Sequence, residues 1–307
     1  APLLKSIPIR SRSFAIEPEI TAKVAKRGCR IFEVPISYVG RTNQEGKKIR
    51  FRDALKAVGA MVRYWLVDDV YAPDEYGSHI LTSLERAQRF NRWMADTVAP
   101  HVRARVLEIG AGIGNITLWL QPRERYVASD INPAYLHYLE NLRVGRPYLQ
   151  VAKVDLGIDE DFSPFEGQLD TVVCLNVLEH VADPLGALRR MRSVLAPGGR
   201  LVLYVPGHPW LYSSLDEVLG HRCRYDKAAL TAELEQTGFV IEKLHPFNRF
   251  GVPGWFWNGK ILRRRHFSRV QLKIFDLLVP ILSRLDRFVP TPGLGWVAVA
   301  RRPEDAA

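Results

Sequence analysis

The chain has 307 residues, 47% hydrophobic and 25% charged, which is an ordinary globular composition long enough for two domains with a real core. Its net charge of +10 favours an anionic partner, be it nucleic acid, a phosphorylated substrate or an acidic membrane surface. Cys29, Cys174 and Cys223 are odd in number, far apart and without a C-x-x-C pair, which argues against a disulfide framework or a zinc site and for a reducing cytosol. No apolar run reaches about 18 residues and no signal-peptide pattern occurs, so a spanning helix is not expected. Alanine at position 1, in place of methionine, suggests a piece of something longer.

Residues 1 to about 70 differ in texture from the rest. Ile16-Glu17-Pro18-Glu19-Ile20 opens a short helix, with proline near its start, acids in the first turn and Gly28 past its end. Residues 30–38 alternate as a half-buried strand, placed at a sheet edge by Pro35. A basic loop through Arg41, Lys47 and Lys48 follows, then a helix from Arg52 to Leu66. The pieces Phe14 to Ile20, Glu33 to Tyr38 and Gly40-Arg41-Thr42 with Glu45-Gly46-Lys47-Lys48 resemble the carboxyl-terminal end of a family-two glycosyltransferase of the polyprenyl-phosphate-sugar synthase type. That resemblance implies that Glu17 and Glu19 face an active site and that Arg41, Lys47 and Lys48 meet phosphates. The family's nucleotide-binding strands and metal-binding acids would lie upstream of residue 1, so the remnant alone is not expected to transfer sugar.

Proline and glycine break the polar stretch 67–78, which is read as a linker. The expected division is a remnant and linker at 1–75 and a second domain at 76–307. A helix from Ser83 to Val98, with Leu84, Phe90, Trp93, Met94 and Val98 on an apolar stripe, is expected to cover the entrance to the pocket that follows, its aromatics serving that entrance or, the favoured reading, core packing.

Residues 106–115 read Val-Leu-Glu-Ile-Gly-Ala-Gly-Ile-Gly-Asn: an apolar strand, an acid, and glycines at every second position before a helix. Glycine's freedom at positive φ and its missing Cβ let a ligand lie against the backbone there. The spacing Gly110, Gly112, Gly114 departs from G-x-G-x-x-G, and no Gly-Lys-Ser/Thr follows, so dinucleotide and Walker readings weaken. A second strand closes on Asp130, 20 residues beyond Gly110, where a carboxylate can accept ribose hydroxyls. A third strand, 149–155, closes on Asp155, a fourth runs from Leu169 towards His180, and the turn Ala196-Pro197-Gly198-Gly199 leads to a fifth at 200–206.

In their order these features resemble the class I S-adenosylmethionine (SAM)-dependent methyltransferases, of the type 11/12 kind, over about residues 78–302. The fold implied is α/β, a Rossmann-like seven-stranded methyltransferase sheet with a small N-terminal α+β remnant. The cofactor implied is SAM, with Glu108 at its amino-acid end, Gly110, Gly112 and Gly114 giving backbone approach, Asp130 on ribose, Asp155 near adenine and Asn176 also among the cofactor residues.

For the acceptor, His180 is a candidate base, with scaffolding by a Glu179–His180 pair the other reading. Some quinone O-methyltransferases complete a metal site at a similar Glu-His with an upstream acid; Asn176 stands at that position here, and no metal is expected. In the loop after the fifth strand, His208 and His221 are further candidate bases and Arg222 and Arg224 candidate anion clamps, unless Asp216–Arg pairs merely staple a lid. A helix at 226–237 and strands at 238–244 and 296–301 complete the domain. Between those strands the insertion 247–290 combines aromatics, the basic run Lys260 to Arg269 and an amphipathic stretch, 270–288, interrupted by Pro280. It suits a membrane interface or lipid-like acceptor, or else oligomer or core packing; nucleic acid is least favoured.

The expected function is methyl transfer to a small-molecule or lipid-linked acceptor, on oxygen or nitrogen. The alternative is the carboxyl-terminal half of a bifunctional glycosyltransferase/methyltransferase in polyprenyl-phosphate-linked sugar metabolism. The expected location is cytoplasmic, with peripheral attachment at the inner face of an anionic membrane as an option.

Overall fold

The computed structural model describes residues 7–26, 31–32, 34–35, 51–66, 87–265 and 268–304. The chain divides into two compact units, residues 1–77 and 78–307.

Unit 1 is helical in its described residues. Helices α1 (Ile16–Lys26) and α2 (Phe51–Leu66) pack together, and α1 carries acids in its first turn and lysines in its last, as the helix dipole favours. Glu19 is fully buried: it forms an ion pair with Lys23 at 2.6 Å and accepts from the backbone N–H groups of Arg10 and Ser11. Burial alone would raise its carboxyl, but the bonds from Lys23, Arg10 and Ser11 outweigh that and hold it at about 2. Glu19 is therefore committed to fastening the segment before α1 rather than to facing a ligand. Of the expected strand over 30–38, residues 31, 32, 34 and 35 are irregular, and the rest lies outside the described residues, as do Arg41, Lys47, Lys48 and the expected linker.

Unit 2 opens with α3 (Gln88–Val98); the part of the expected helix before residue 87 lies outside the described residues. The sheet consists of β1 (Arg105–Ile109), β2 (Arg125–Ser129), β3 (Leu149–Ala152), β4 (Leu169–Leu175), β5 (Leu195–Pro206), β6 (Val240–Phe247) and β7 (Gly295–Arg301). Their order is β3-β2-β1-β4-β5-β7-β6, with β7 antiparallel to both neighbours and the other pairs parallel. This is the seven-stranded Rossmann-like sheet expected.

Alternation along the strands explains its two covered faces. Leu107, Ile109, Val127, Val172 and Cys174 point to one side, under α6 (Pro184–Val194) and α8 (Lys227–Gln236). Val106, Tyr126, Ala128 and Val173 point to the other, under α3 and α5 (Pro133–Arg143). Between these helices lie two short ones, α4 (Thr117–Leu120) and α7 (Ser214–Leu219).

Among the boundaries that differ from expectation, two change how named residues are read. Strand β3 stops at Ala152, so Asp155 lies beyond it in an Asx-type turn, its Oδ1 accepting from Gly157 N–H. Strand β5 begins at Leu195 and includes the Pro-Gly-Gly run: Leu195 pairs with Leu169 and Arg200 with Thr171, so residues 196–199 form an irregularity within the ladder.

The insertion folds as α9 (Gly251–Trp255), a π-helical continuation (Phe256–Ile261) and α10 (Arg269–Leu285). Pro280 sits inside α10 without ending it. No helix of the described residues is long and apolar enough to cross a membrane.

Candidate active site

The strand order reverses at β1: its neighbour on one side leads to β2 and on the other to β4, so a crevice opens at the carboxyl ends of these strands. A cavity of about 570 Å³ lies there, lined by Glu108, Gly110, Gly112, Asn176, His180 and His221 together with residues of α3, α9 and α10. Its volume is in the range of small-molecule sites.

Gly110 and Gly112 have φ of +70° and +58°. A Cβ on Gly110 would lie 2.3 Å from Val177 Cγ2, so the loop after β1 can pass the β4 loop only as glycine. Gly114 has another purpose. It does not line the cavity, and a Cβ there would lie 2.3 Å from Leu142 Cδ1, so its lack of a side chain lets α5 pack close.

Glu108, only 4% exposed, lines the cavity while its Oε2 accepts from the hydroxyls of Thr117 and Tyr126 at 2.5 and 2.8 Å. Burial pushes its carboxyl up to about 7. The folded state thus keeps a proton up to about pH 7 that the unfolded chain releases near 4.5, and Glu108 makes the fold less stable as pH rises between those values. Glu108→Gln is expected to remove that slope from pH-dependent denaturation curves. A cationic ligand needs the ionised form, so SAM affinity measured by calorimetry should weaken up to about tenfold per pH unit below 7 in the wild type, with no such slope in the variant.

Asp130, at the end of β2, accepts from Gly112 N–H at 2.9 Å and Asn132 N–H at 2.8 Å, one on each oxygen. Burial raises its carboxyl. It lies beside the glycine loop but outside the cavity lining, as does Asp155. Asn176, at φ +56°, follows β4 at the cavity wall.

The other wall is built around Asp216. A six-residue helix, α7, starts with a Ser213/Asp216 capping box and ends at Gly220, whose φ of +77° reverses the chain and returns His221 beside Asp216. The wholly buried Asp216 Oδ1 accepts from His221 Nδ1 at 2.9 Å and Arg224 Nε at 2.7 Å, and its Oδ2 from Ser213 N–H and Trp255 Nε1. Burial would raise this carboxyl, but His221 and Arg224 prevail and hold it below its usual range. With its Nδ1–H given to Asp216, His221 presents Nε2 as its lone-pair atom.

His180 also lines the cavity, its ring centroid 5.0 Å from that of His221, with Nδ1 3.1 Å from Gly220 O. Burial and the neighbouring His221 lower its pKa. Glu179 is fully buried, with no hydrogen-bond partner for either carboxyl oxygen among the described residues, and burial raises it to about 8. Its Oε1 is 3.8 Å from His221 Nε2. Glu179, His180 and His221 each bring one donor atom within 4.8 Å of the others, a set that chemically could also ligate a divalent cation.

His208 is outside the cavity lining, packed near Trp296 with ring centroids 5.3 Å apart. Arg224 is not a free clamp: it is 5% exposed and also donates to Gly207 O. Arg222 donates to His180 O. The lid-stapling reading of Asp216 and Arg224 holds, with a histidine added to the staple. Sequence reasoning missed Tyr204, Trp255 and Phe275 as cavity residues, because they come from a strand and an insertion whose proximity is tertiary. The S-x-x-D capping pattern before Gly220-His221 was the available signal.

These residues fit SAM: an acid lining the cavity suits its ammonium group, Gly110 and Gly112 leave backbone to lie against, and Asp130 ends the neighbouring strand. A family model described as a methyltransferase domain matches residues 69–244, more than half of the chain. Among curated relatives, a ubiquinone biosynthesis O-methyltransferase of Marinobacter nauticus is 34% identical over 103 residues, covering 32% of this chain and 42% of that protein. An uncharacterised 37.1 kDa protein of a Streptomyces fradiae transposon is 29% identical over 130 residues, covering 41% and 37%. The chain thus spans well under half the length of either. Among solved structures, the candidate methyltransferase in complex with the Haloferax volcanii Trm112 activator matches with a TM-score of 0.50 at 16% identity, covering 73% of this chain and 95% of that one, which speaks for the fold alone. Domain match, fold and glycine-loop site agree, and the chain belongs to the methyltransferase-domain family.

Proposed function

We propose that the enzyme O-methylates an acceptor with a hydroxyl on an apolar body, of the lipid-linked kind, with His221 as the base. The observation that carries this reading is that one cavity is lined by both the glycine loop and His221, which the buried Asp216 holds from behind. SAM brings a methyl group on a sulfonium leaving group, so the protein supplies placement, exclusion of water and a proton acceptor. Glu108, Gly110, Gly112 and Asp130 hold the cofactor side. His221 Nε2 takes the acceptor proton as the acceptor oxygen gains the methyl carbon, and Asp216 steadies the imidazolium that results. Phe250, Phe275 and Leu278 make the walls around the acceptor apolar. The relative named as a ubiquinone biosynthesis O-methyltransferase supports oxygen as the acceptor atom. Nothing in the described residues of unit 1 adds support for sugar transfer.

His221→Gln is expected to lower kcat by about 10²- to 10⁴-fold with SAM affinity within about twofold of wild type, while His208→Gln stays near wild type. Full activity in His221→Gln would sink the base assignment. Dialysis against EDTA is expected to leave kcat within about twofold; loss restored by a divalent cation would replace the base with a metal-held acceptor at Glu179, His180 and His221. For the acceptor class, methyl-labelled SAM is incubated with whole-cell extract and the label followed into organic or aqueous phase. Label in the aqueous phase alone would overturn the lipid-linked reading.

A further inference from the structure

Helix α10 has two apolar faces, and the fold uses one. On the packed side Val279 is 2% exposed, Phe275 stacks with Phe90 of α3 at 6.1 Å between centroids, and Asp276 Oδ1 accepts from Phe90 N–H at 3.0 Å. On the far side Val270, Ile274, Leu277, Ile281 and Leu285 recur at helical spacing within an arc of roughly 80°. They are between 46% and 66% exposed, and Phe288 beyond the helix end is 68% exposed. Five large aliphatic side chains in one solvent-facing row exceed the scattered apolar residues of an ordinary surface.

Charge identifies what covers this row. Lys273 and Arg284 lie along one flank of it at helical spacing, and Lys260, Arg263, Arg264 and Arg265 are exposed just ahead of the helix. The only acids from residue 260 to 288 are Asp276 and Asp286. Both belong to the packed side, Asp286 through its ion pair with Arg249 at 3.2 Å. The exposed side is therefore apolar along its centre and cationic along one flank and ahead of its N-terminal end. A second copy would bring the same cations to the same row and be repelled. An anionic lipid surface matches both features at once. At 17 residues α10 is about 26 Å long, suited to lying in an interface plane. The row also reaches the active cavity, which Ile274 and Leu278 help to line.

We infer that this face of α10 docks the enzyme on an anionic membrane surface, with the cavity rim against the lipid. The inference rests on the surface of α10 and is independent of the acceptor proposed above.

The test is cosedimentation of the full chain with vesicles of phosphatidylcholine alone or with about 30% phosphatidylglycerol. Binding is expected to the anionic vesicles, at least about tenfold weaker to the neutral ones, and weakened by salt. Leu277→Glu with Ile281→Glu should lower anionic-vesicle affinity at least about tenfold while leaving SAM affinity and Tm unchanged, because both residues are exposed and outside the cavity lining. Arg263→Glu with Arg265→Glu should do the same through charge alone, so the outcome does not hang on one variant's folding. Absence of binding to anionic vesicles, or binding that neither variant weakens, overturns the inference. So does a concentration-dependent dimer in sedimentation velocity that the Leu277/Ile281 variant abolishes while vesicle binding persists.

Discussion

Asp216→Ala is expected to destabilise the protein by about 3–5 kcal/mol and to reduce turnover by orders of magnitude. The carboxylate is wholly buried and satisfies Arg224, His221, Trp255 and the first turn of α7 at once. Without it, an Arg224 guanidinium that is 5% exposed keeps only its backbone carbonyl partners and stands over the Trp255 ring at 4.7 Å. Stranding a buried cation is the costly event, more than the loss of any one bond. Chemical denaturation measures the stability term, and a loss below about 1 kcal/mol would show that water replaces the carboxylate. Asp216→Asn separates the two roles. It keeps the shape and one acceptor oxygen, so it should fold better than the alanine variant while still lowering kcat, because neutral Asn cannot steady a charged His221. The pH dependence has a definite sign: a carboxyl held below its usual value stabilises the fold above about pH 4 and loses that contribution as pH falls through its folded-state pKa.

Asp130→Ala is expected to weaken SAM binding at least about a hundredfold. Two terms act together. In the reading proposed above the carboxylate accepts from the cofactor's hydroxyls, and charge-assisted bonds of this type contribute roughly 1.5–3 kcal/mol each. It also holds Gly112 N–H at 2.9 Å, so removing it loosens the loop that the cofactor backbone contacts require. Because burial raises this carboxyl, its removal relieves a desolvation cost, and the fold itself should change little. Isothermal titration reads the affinity and thermal denaturation the stability. Binding within about threefold of wild type would remove Asp130 from the site.

The glycine loop and the strand end before it were legible in sequence because their geometry is local. A strand fixes where its last residue points, and a glycine at every second position after it can only be a turn that admits positive φ, so Glu108, Gly110 and Gly112 could be placed from spacing alone. Gly114 shows the limit of that logic: it obeys the same pattern, yet its reason is Leu142, 28 residues away. Asp155 shows it too, because one residue type ends many strands and only the pairing with β2 reveals that β3 stops at Ala152.

The order of strands and helices, the covered sheet and the glycine-loop pocket were determined by the sequence itself, through alternation, glycine placement and capping residues that act within a few positions. Tertiary structure alone decided which histidines share the cavity, that Asp216 unites His221, Arg224 and Trp255, and that the insertion lines the cavity with part of α10 while leaving an apolar row exposed. Those facts depend on contacts between residues far apart in the chain, from Trp255 Nε1 on Asp216 to Phe90 N–H on Asp276, and a pattern of residue types does not encode distance across a fold.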